Sequence, residues 1–221
     1  NFLAGTVPET FARRLGDMGA EVVRAGDDYE ESMQAAAQVA RAKGWTLLSD
    51  SSWPGYTKLP LRVMEGYLQL AAEAADQIGA PPSHILLQAG VGGLAGAVAA
   101  HARRVWGEGP QIIVVEPGAA PALMESIRAG ETVDTRGPAS CMGRLDCKSP
   151  SLIALNGLAR DADVFVTLSE HGAQQGAALL ASHGLPTTPS GGAGVAVLFS
   201  GLKLPPDAQV LAIVSEGPEV G

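Results

Sequence analysis

The sequence predicts an α/β protein, mostly parallel sheets flanked by helices, and three observations carry that prediction. Segments of helical period alternate with short Val/Ile/Leu runs along the chain, as in parallel strands joined by crossover helices. The apolar fraction is 46% while aromatics make up only 5%, so small aliphatic residues dominate and helices can sit close on a buried parallel sheet. The third is QAGVGGLAGAVAAH, residues 88–101, where the apolar run Ile85-Leu86-Leu87 gives way to Gly90, Gly92, Gly93 and Gly96 and then to an Ala-rich helix.

The elements follow in order. Thr6 and Glu9 have capping-box spacing with Pro8 between them, so a helix is expected from near Val7, with Phe11, Leu15 and Met18 on one face. A short strand at 21–24, a helix at 30–43 and a strand at 45–48 come next. Residues 49–60 (SDSSWPGYTKLP) break the alternation, and such irregular segments often contact ligands. Leu61, Met64, Leu68, Ala71 and Ala75 then mark a helix ending near Gly79. Beyond the glycine turn, a strand is expected at 111–115, a helix at 121–129 and a polar loop at 130–150. Helix 151–158, strand 164–168, helix 170–182, a helix at 191–198 and a last strand at 209–214 complete the pattern. Domain organisation is expected as 1–50, the remainder of a smaller α/β domain, and 51–221, a larger cofactor-binding α/β domain. The opening Phe2-Leu3-Ala4 reads as the end of a strand, so the chain is expected to begin inside a domain.

Charge and composition narrow the function. The formal net charge is −8, and no basic cluster exceeds Arg103-Arg104, which argues against a nucleic-acid partner. No apolar run reaches the ~18 residues that span a bilayer, so no membrane partner is expected and the chain reads as soluble and cytoplasmic. Cys141 and Cys147 are too few for a stapled framework and read as reduced thiols; the histidines lack ligand spacing, so no metal is expected.

The glycine turn carries the chemistry. Unpaired N–H groups and the dipole at a helix start make an anion site, and glycine lets a phosphate approach the backbone. A tight turn with no ligand fits the same glycines. The spacing lacks the Lys-Ser/Thr of a Walker loop, while Glu116 lies near the distance of a ribose-binding acid, keeping a dinucleotide site open as an alternative.

QAGVGGLAGAV, preceded by DSSWPGYTKLP and followed by VVEP, GRLDC, PSGGAGV and VSEG, resembles the pyridoxal-phosphate enzymes of the tryptophan-synthase-β fold type (fold type II). Within them it most resembles the diaminopropionate ammonia-lyase family. The resemblance implies pyridoxal 5'-phosphate as cofactor, a homodimer, and a carbon–nitrogen lyase that eliminates ammonia from 2,3-diaminopropionate to give pyruvate. A serine/threonine dehydratase-like lyase and a catalytically inactive phosphate-binding fragment are the alternatives. By resemblance, Gly90, Val91, Gly92, Gly93 and Leu94 cradle the cofactor phosphate. Ser215 resembles the hydroxyl partner of the pyridine nitrogen, with Ser190 as rival because some relatives use a Ser-Gly helix start. Asp50 resembles a family acid facing the substrate amine, although a carboxylate capping that turn fits equally. Glu116 either faces the pyridine ring or ends its strand.

One departure matters. The family's Schiff-base lysine and an acidic partner lie upstream of the first matching segment, and none of Lys43, Lys58, Lys148 and Lys203 stands in the lysine motif. The chain is therefore expected to be a fold-type-II enzyme lacking its N-terminal part, and not a competent lyase alone.

Overall fold

The computed structural model describes residues 1–218, and positions 219–221, expected at the end of the larger domain, lie outside the described residues. The chain divides into two compact units, the first spanning Asn1–Ser49 and the second beginning at Asp50.

The smaller unit is built from β1 (Phe2–Leu3), α1 (Glu9–Asp17), β2 (Val23–Arg24) and α2 (Tyr29–Lys43). β1 and β2 pair in parallel. Asp28 caps α2 by accepting from Glu31 N–H at 2.9 Å, and Gly44 ends it in the left-handed conformation at φ 67°.

Two expectations fail in this unit. The Thr6–Glu9 capping box does not form: Pro8 occupies the N-cap position, and the Glu9 carboxylate pairs instead with Arg24 at 3.1 Å. Residues 45–48 form no strand. Trp45 N–H is tied back to Ala40 O at 2.8 Å, and the Lys43 ammonium lies 4.4 Å from the Trp45 ring centroid, so the chain stays with the end of α2.

The larger unit continues with α3 (Lys58–Gln77), β3 (His84–Gln88), α4 (Gly93–Trp106), β4 (Gln111–Pro117), α5 (Ala122–Ala129) and α6 (Leu152–Asp161). β5 (Val164–Leu168), α7 (Glu170–Ser182), the short α8 (Ala193–Ala196) with a 3-10 turn, and β6 (Val210–Ala212) complete it. Four parallel strands run in the order β5-β4-β3-β6. The near-continuous apolar runs of β3 and β4 are explained by cover on both faces. Ile85, Leu87, Ile112 and Val114 pack with Val98, Ala99 and Leu158 of α4 and α6. Leu86, Ile113 and Val115 pack on the opposite side with Met142, Ala173, Ala193 and Ala196.

The predicted face of α3 holds in part: Met64 and Ala71 pack inward, while Leu61 and Leu68 do not. Its buried positions are Pro60 and Ala71, while Leu61 and Leu68 remain 47% and 37% exposed. The helix packs on α4 through Met64 and Tyr67, which lie against Gly93 and Gly96, and this rotates the Leu stripe outward. β6 is also shorter than the apolar run predicts, because the Gln88 side chain meets Ile213 O beyond the ladder.

Candidate cofactor site at the glycine turn

The direction of the sheet locates the site. From β3 the chain steps to β4 and β5 on one side, then returns to β6 on the other, so strand order reverses between β3 and β6. Open parallel α/β sheets bind ligands beyond the carboxyl ends of the strands at such a reversal. The carboxyl end of β3 is Gln88, followed by the glycine turn.

The turn is a buried helix start. Gly90, Val91, Gly92 and Gly93 are buried and Leu94 is half-buried. Gly92 is the N-cap of α4 at φ 98°, a conformation open to glycine, and no side chain caps this end among the described residues. The first N–H groups of an α-helix have no partner within the helix, so a buried start without a capping side chain is suited to an anionic ligand. Space around it is tight. A Cβ at Gly92 would lie 3.1 Å from Leu123 Cδ1 and 3.2 Å from Ala154 Cβ, and one at Gly90 would lie 3.0 Å from Arg144 O.

The irregular segment before α3 is tied to this turn. Ser151 N–H donates to Val91 O at 3.0 Å, and the Ser151 and Ser52 hydroxyls meet at 2.7 Å. Leu152 N–H donates to Ser52 O at 2.9 Å. Trp53 and Tyr56 stack in the same segment with centroids 4.3 Å apart. Asp50 opens the segment. Burial, and then the charge of Asp50, push the Tyr67 phenol above its ordinary value. Tyr67 Cε2 would lie 3.7 Å from a Cβ on Gly93, so its ring packs on the turn. Tyr67 ends the segment MEGY, which follows GYTKLP in the stretch that resembles the family, but the residue pattern alone gives it no role; it is the one aromatic of α3.

Glu116 is 1% exposed at the end of β4. Its oxygens accept from Leu123 N–H at 2.7 Å and Met124 N–H at 2.8 Å, so the carboxylate closes the start of α5. Burial pushes its pKa up to about 7 against the opposing pull of those two bonds, and nearby Glu125 adds to the rise. Its effect on the glycine turn runs through Leu123, which walls Gly92.

Ser190 and Ser215 are brought to the same end of the sheet but differ in setting. Ser190 is 3% exposed, and its Oγ accepts from Arg144 N–H at 3.2 Å. Ser215 is exposed, and its Oγ accepts from Gln88 Nε2 at 3.0 Å. Glu216 clamps the surrounding loops: one oxygen pairs with Arg144 Nε at 2.7 Å and the other accepts from the Thr188 hydroxyl.

Lys43, Lys58 and Lys203 are exposed, and Lys148 Nζ is held by Ala119 O at 2.9 Å, Pro138 O at 3.0 Å and Asp146 at 2.5 Å. Cys141 and Cys147 are not joined by a disulfide. Although Cys141 reaches the surface, desolvation of its sulfur and then the Glu170 carboxylate push its thiol up to about 12, which disfavours the thiolate. Among the described residues no group of His, Cys, Asp and Glu gathers for a metal, and no helix is long and apolar enough to cross a membrane.

A doubly covered parallel sheet with a glycine-built helix start at its strand-order reversal defines the class: an α/β protein whose uncapped helix start is suited to an anionic ligand. The chain belongs to the pyridoxal-phosphate dependent enzyme family, whose model matches residues 2–216. It is 32% identical to diaminopropionate ammonia-lyase of Escherichia coli strain K12 over 91% of this chain and 56% of that protein. It is 27% identical to a mouse serine dehydratase-like protein over 86% of this chain and 56% of that one. Crystalline E. coli diaminopropionate ammonia lyase, solved with an aminoacrylate–PLP reaction intermediate, superposes with a TM-score of 0.88 at 30% identity, covering 97% of this chain and 60% of that one. The chain thus spans little more than half the length of these relatives. The family and the fold expected from sequence are both borne out.

Proposed function

We propose that the protein is a pyridoxal-phosphate-dependent carbon–nitrogen lyase that eliminates ammonia from 2,3-diaminopropionate to give pyruvate. The observation that carries this reading is the buried, uncapped start of α4 at Gly92, set across the β3–β6 reversal from the Ser215 hydroxyl. A helix start suits the phosphate and a hydroxyl suits the ring nitrogen, so the residues present fit the cofactor. The similarity to diaminopropionate ammonia-lyases over nearly the whole chain supports the substrate.

The cofactor, when bound, supplies the electron sink for breaking bonds at the substrate carbon. The chain's own residues do the rest. Backbone N–H groups of Gly90, Val91, Gly92, Gly93 and Leu94 hold the phosphate, with Leu123 and Ala154 closing the space behind Gly92. The Ser215 Oγ donates to the pyridine nitrogen and leaves it unprotonated, which suits elimination at Cβ. Ser190 is the rival partner: its Oγ likewise accepts, from Arg144 N–H, which leaves its proton to donate in the same way. The Asp50 carboxylate faces the substrate amine and exchanges a proton there, with Tyr67 beside it. Glu116 supports the turn through α5. The units 1–50 and 51–221 serve as part of a smaller domain and as the cofactor-binding domain, in a cytoplasmic homodimer.

The test uses the intact protein. Pyruvate release from 2,3-diaminopropionate should exceed that from serine or threonine, and Gly92→Val should raise the pyridoxal-phosphate Kd while leaving far-ultraviolet circular dichroism unchanged. A Gly92→Val protein that binds as tightly as the parent refutes the phosphate assignment. Faster turnover of serine or threonine assigns the protein to the dehydratases instead.

A further inference from the structure

Gln88 closes an apolar strand with a polar side chain that is only 3% exposed. Its Nε2 faces Ile213 O at 2.9 Å, Gly191 O at 3.1 Å and Ser215 Oγ at 3.0 Å. The two carbonyls can only accept, so they dictate which way the amide points; the flipped amide would set its oxygen against theirs. The Gln88 oxygen is thereby turned to the opposite side. There it is the one buried side-chain polar atom without a hydrogen-bond partner among the described residues. A Cβ on Gly194 would lie 2.7 Å from that oxygen, so the pose depends on glycine at 194. An unsatisfied buried acceptor destabilises a fold, and an apolar residue closing β3 would avoid the loss. The arrangement therefore serves something other than stability.

Its consequence falls on Ser215. The NH2 group has two hydrogens for these three acceptors, so one is shared between two of them; having no lone pair, it can only donate to the Ser215 oxygen, and the hydroxyl proton has to point elsewhere. We infer that Gln88 is a positioning residue: the Gly191 and Ile213 carbonyls fix its amide, and the amide holds the Ser215 hydroxyl as a hydrogen-bond donor toward the ring nitrogen of the cofactor. Without the amide, those carbonyls become acceptors for the Ser215 proton. The hydroxyl could then turn inward and oppose the nitrogen with a lone pair. The inference rests on the assignment of Ser215 as the ring partner.

The experiment is a double-mutant cycle on the intact protein with Gln88→Met, Ser215→Ala and both together, read by fluorescence titration with pyridoxal phosphate. Ser215→Ala should raise Kd about three- to tenfold, the span of one net hydrogen bond. Gln88→Met should match it, and the double variant should be no weaker than Ser215→Ala alone. With cofactor carrying a nitrogen-15 label in the ring, the wild-type resonance should be that of a hydrogen-bonded, unprotonated nitrogen. Both single variants should shift it toward the free base. Gln88→Asn, which keeps the amide but falls one methylene short, should behave as Gln88→Met and is read in its place if that variant does not fold. A Gln88→Met loss that persists in full on the Ser215→Ala background means that Gln88 only braces the loops, and overturns the inference. If Ser215→Ala binds and resonates like wild type, the Ser215 assignment itself falls. If Ser215→Ala weakens binding while neither Gln88 variant does, Ser215 stands and the role of Gln88 alone is refuted.

Discussion

Glu116 sets two opposing effects against each other, and its pH dependence decides between them. Burial opposes the charged carboxylate, while the Leu123 and Met124 N–H groups at the start of α5 favour it. Burial wins, raising the pKa from 4.5 to about 7. Because the folded value lies above the unfolded one, the contribution to stability is fully present below pH 4.5 and is lost as pH rises through about 7. The size of that loss is ~3 kcal/mol, levelling off above neutrality. Glu116→Gln removes the titration but turns an NH2 group toward one of the two backbone N–H groups, leaving that N–H without its acceptor, at a cost of about 1–3 kcal/mol. At pH 5 the Gln variant should therefore be the less stable protein. By pH 8 it should have drawn level or passed wild type. Urea unfolding of both proteins at intervals from pH 5 to 8 measures the difference directly. Two curves that run parallel over this range would mean that Glu116 stays ionised throughout and that the backbone bonds outweigh burial. The balance argued above would then be wrong.

Two further outcomes follow from the same geometry. Gly92→Ala should cost about 2–4 kcal/mol in urea unfolding, combining left-handed backbone strain with crowding on Leu123 and Ala154. Gly130→Ala, at φ 74° with open space around it, should show only the strain of about 1–2 kcal/mol, and equal costs would refute the tight wall behind the turn. The second concerns the lysines: mixing these 221 residues with pyridoxal phosphate and reducing with borohydride should label no lysine stoichiometrically, because three ammonium groups are exposed and Lys148 is ion-paired. Mass spectrometry showing one equivalent on Lys58 would overturn both this and the site's placement.

What was legible in the sequence was whatever depends on neighbours along the chain. The strand 85–87, the glycine turn and the Ala-rich helix follow from a local switch of period and from glycine's freedom at positive φ, and all three form. Edges were less legible. Capping at Thr6 failed because Arg24, fifteen positions beyond Glu9, draws off the carboxylate that a capping box needs. The strand at 45–48 does not form, and Trp45 is held by Ala40 and Lys43 at the end of α2. The α3 stripe was right at Met64 and Ala71 and wrong at Leu61 and Leu68, because any helix carrying several leucines and alanines offers more than one apolar face, and only contact with α4 selects among them.

The sequence by itself determined the parallel α/β class, the family resemblance, and the turn from Gly90 to Leu94, since these rest on composition, period and contiguous residues. The tertiary structure alone decided that β6 returns beside β3, so that Gln88 meets Ser215 across 127 positions of sequence and Ser52 meets Ser151 across 99. It also decided that the Tyr67 ring packs on the turn within the field of Asp50, and that Glu116 faces α5. The physical reason is the same in each case: a hydrogen bond or a buried charge acts over a few ångströms of space, and residues far apart in sequence come within that range only when strand order and helix packing put them there.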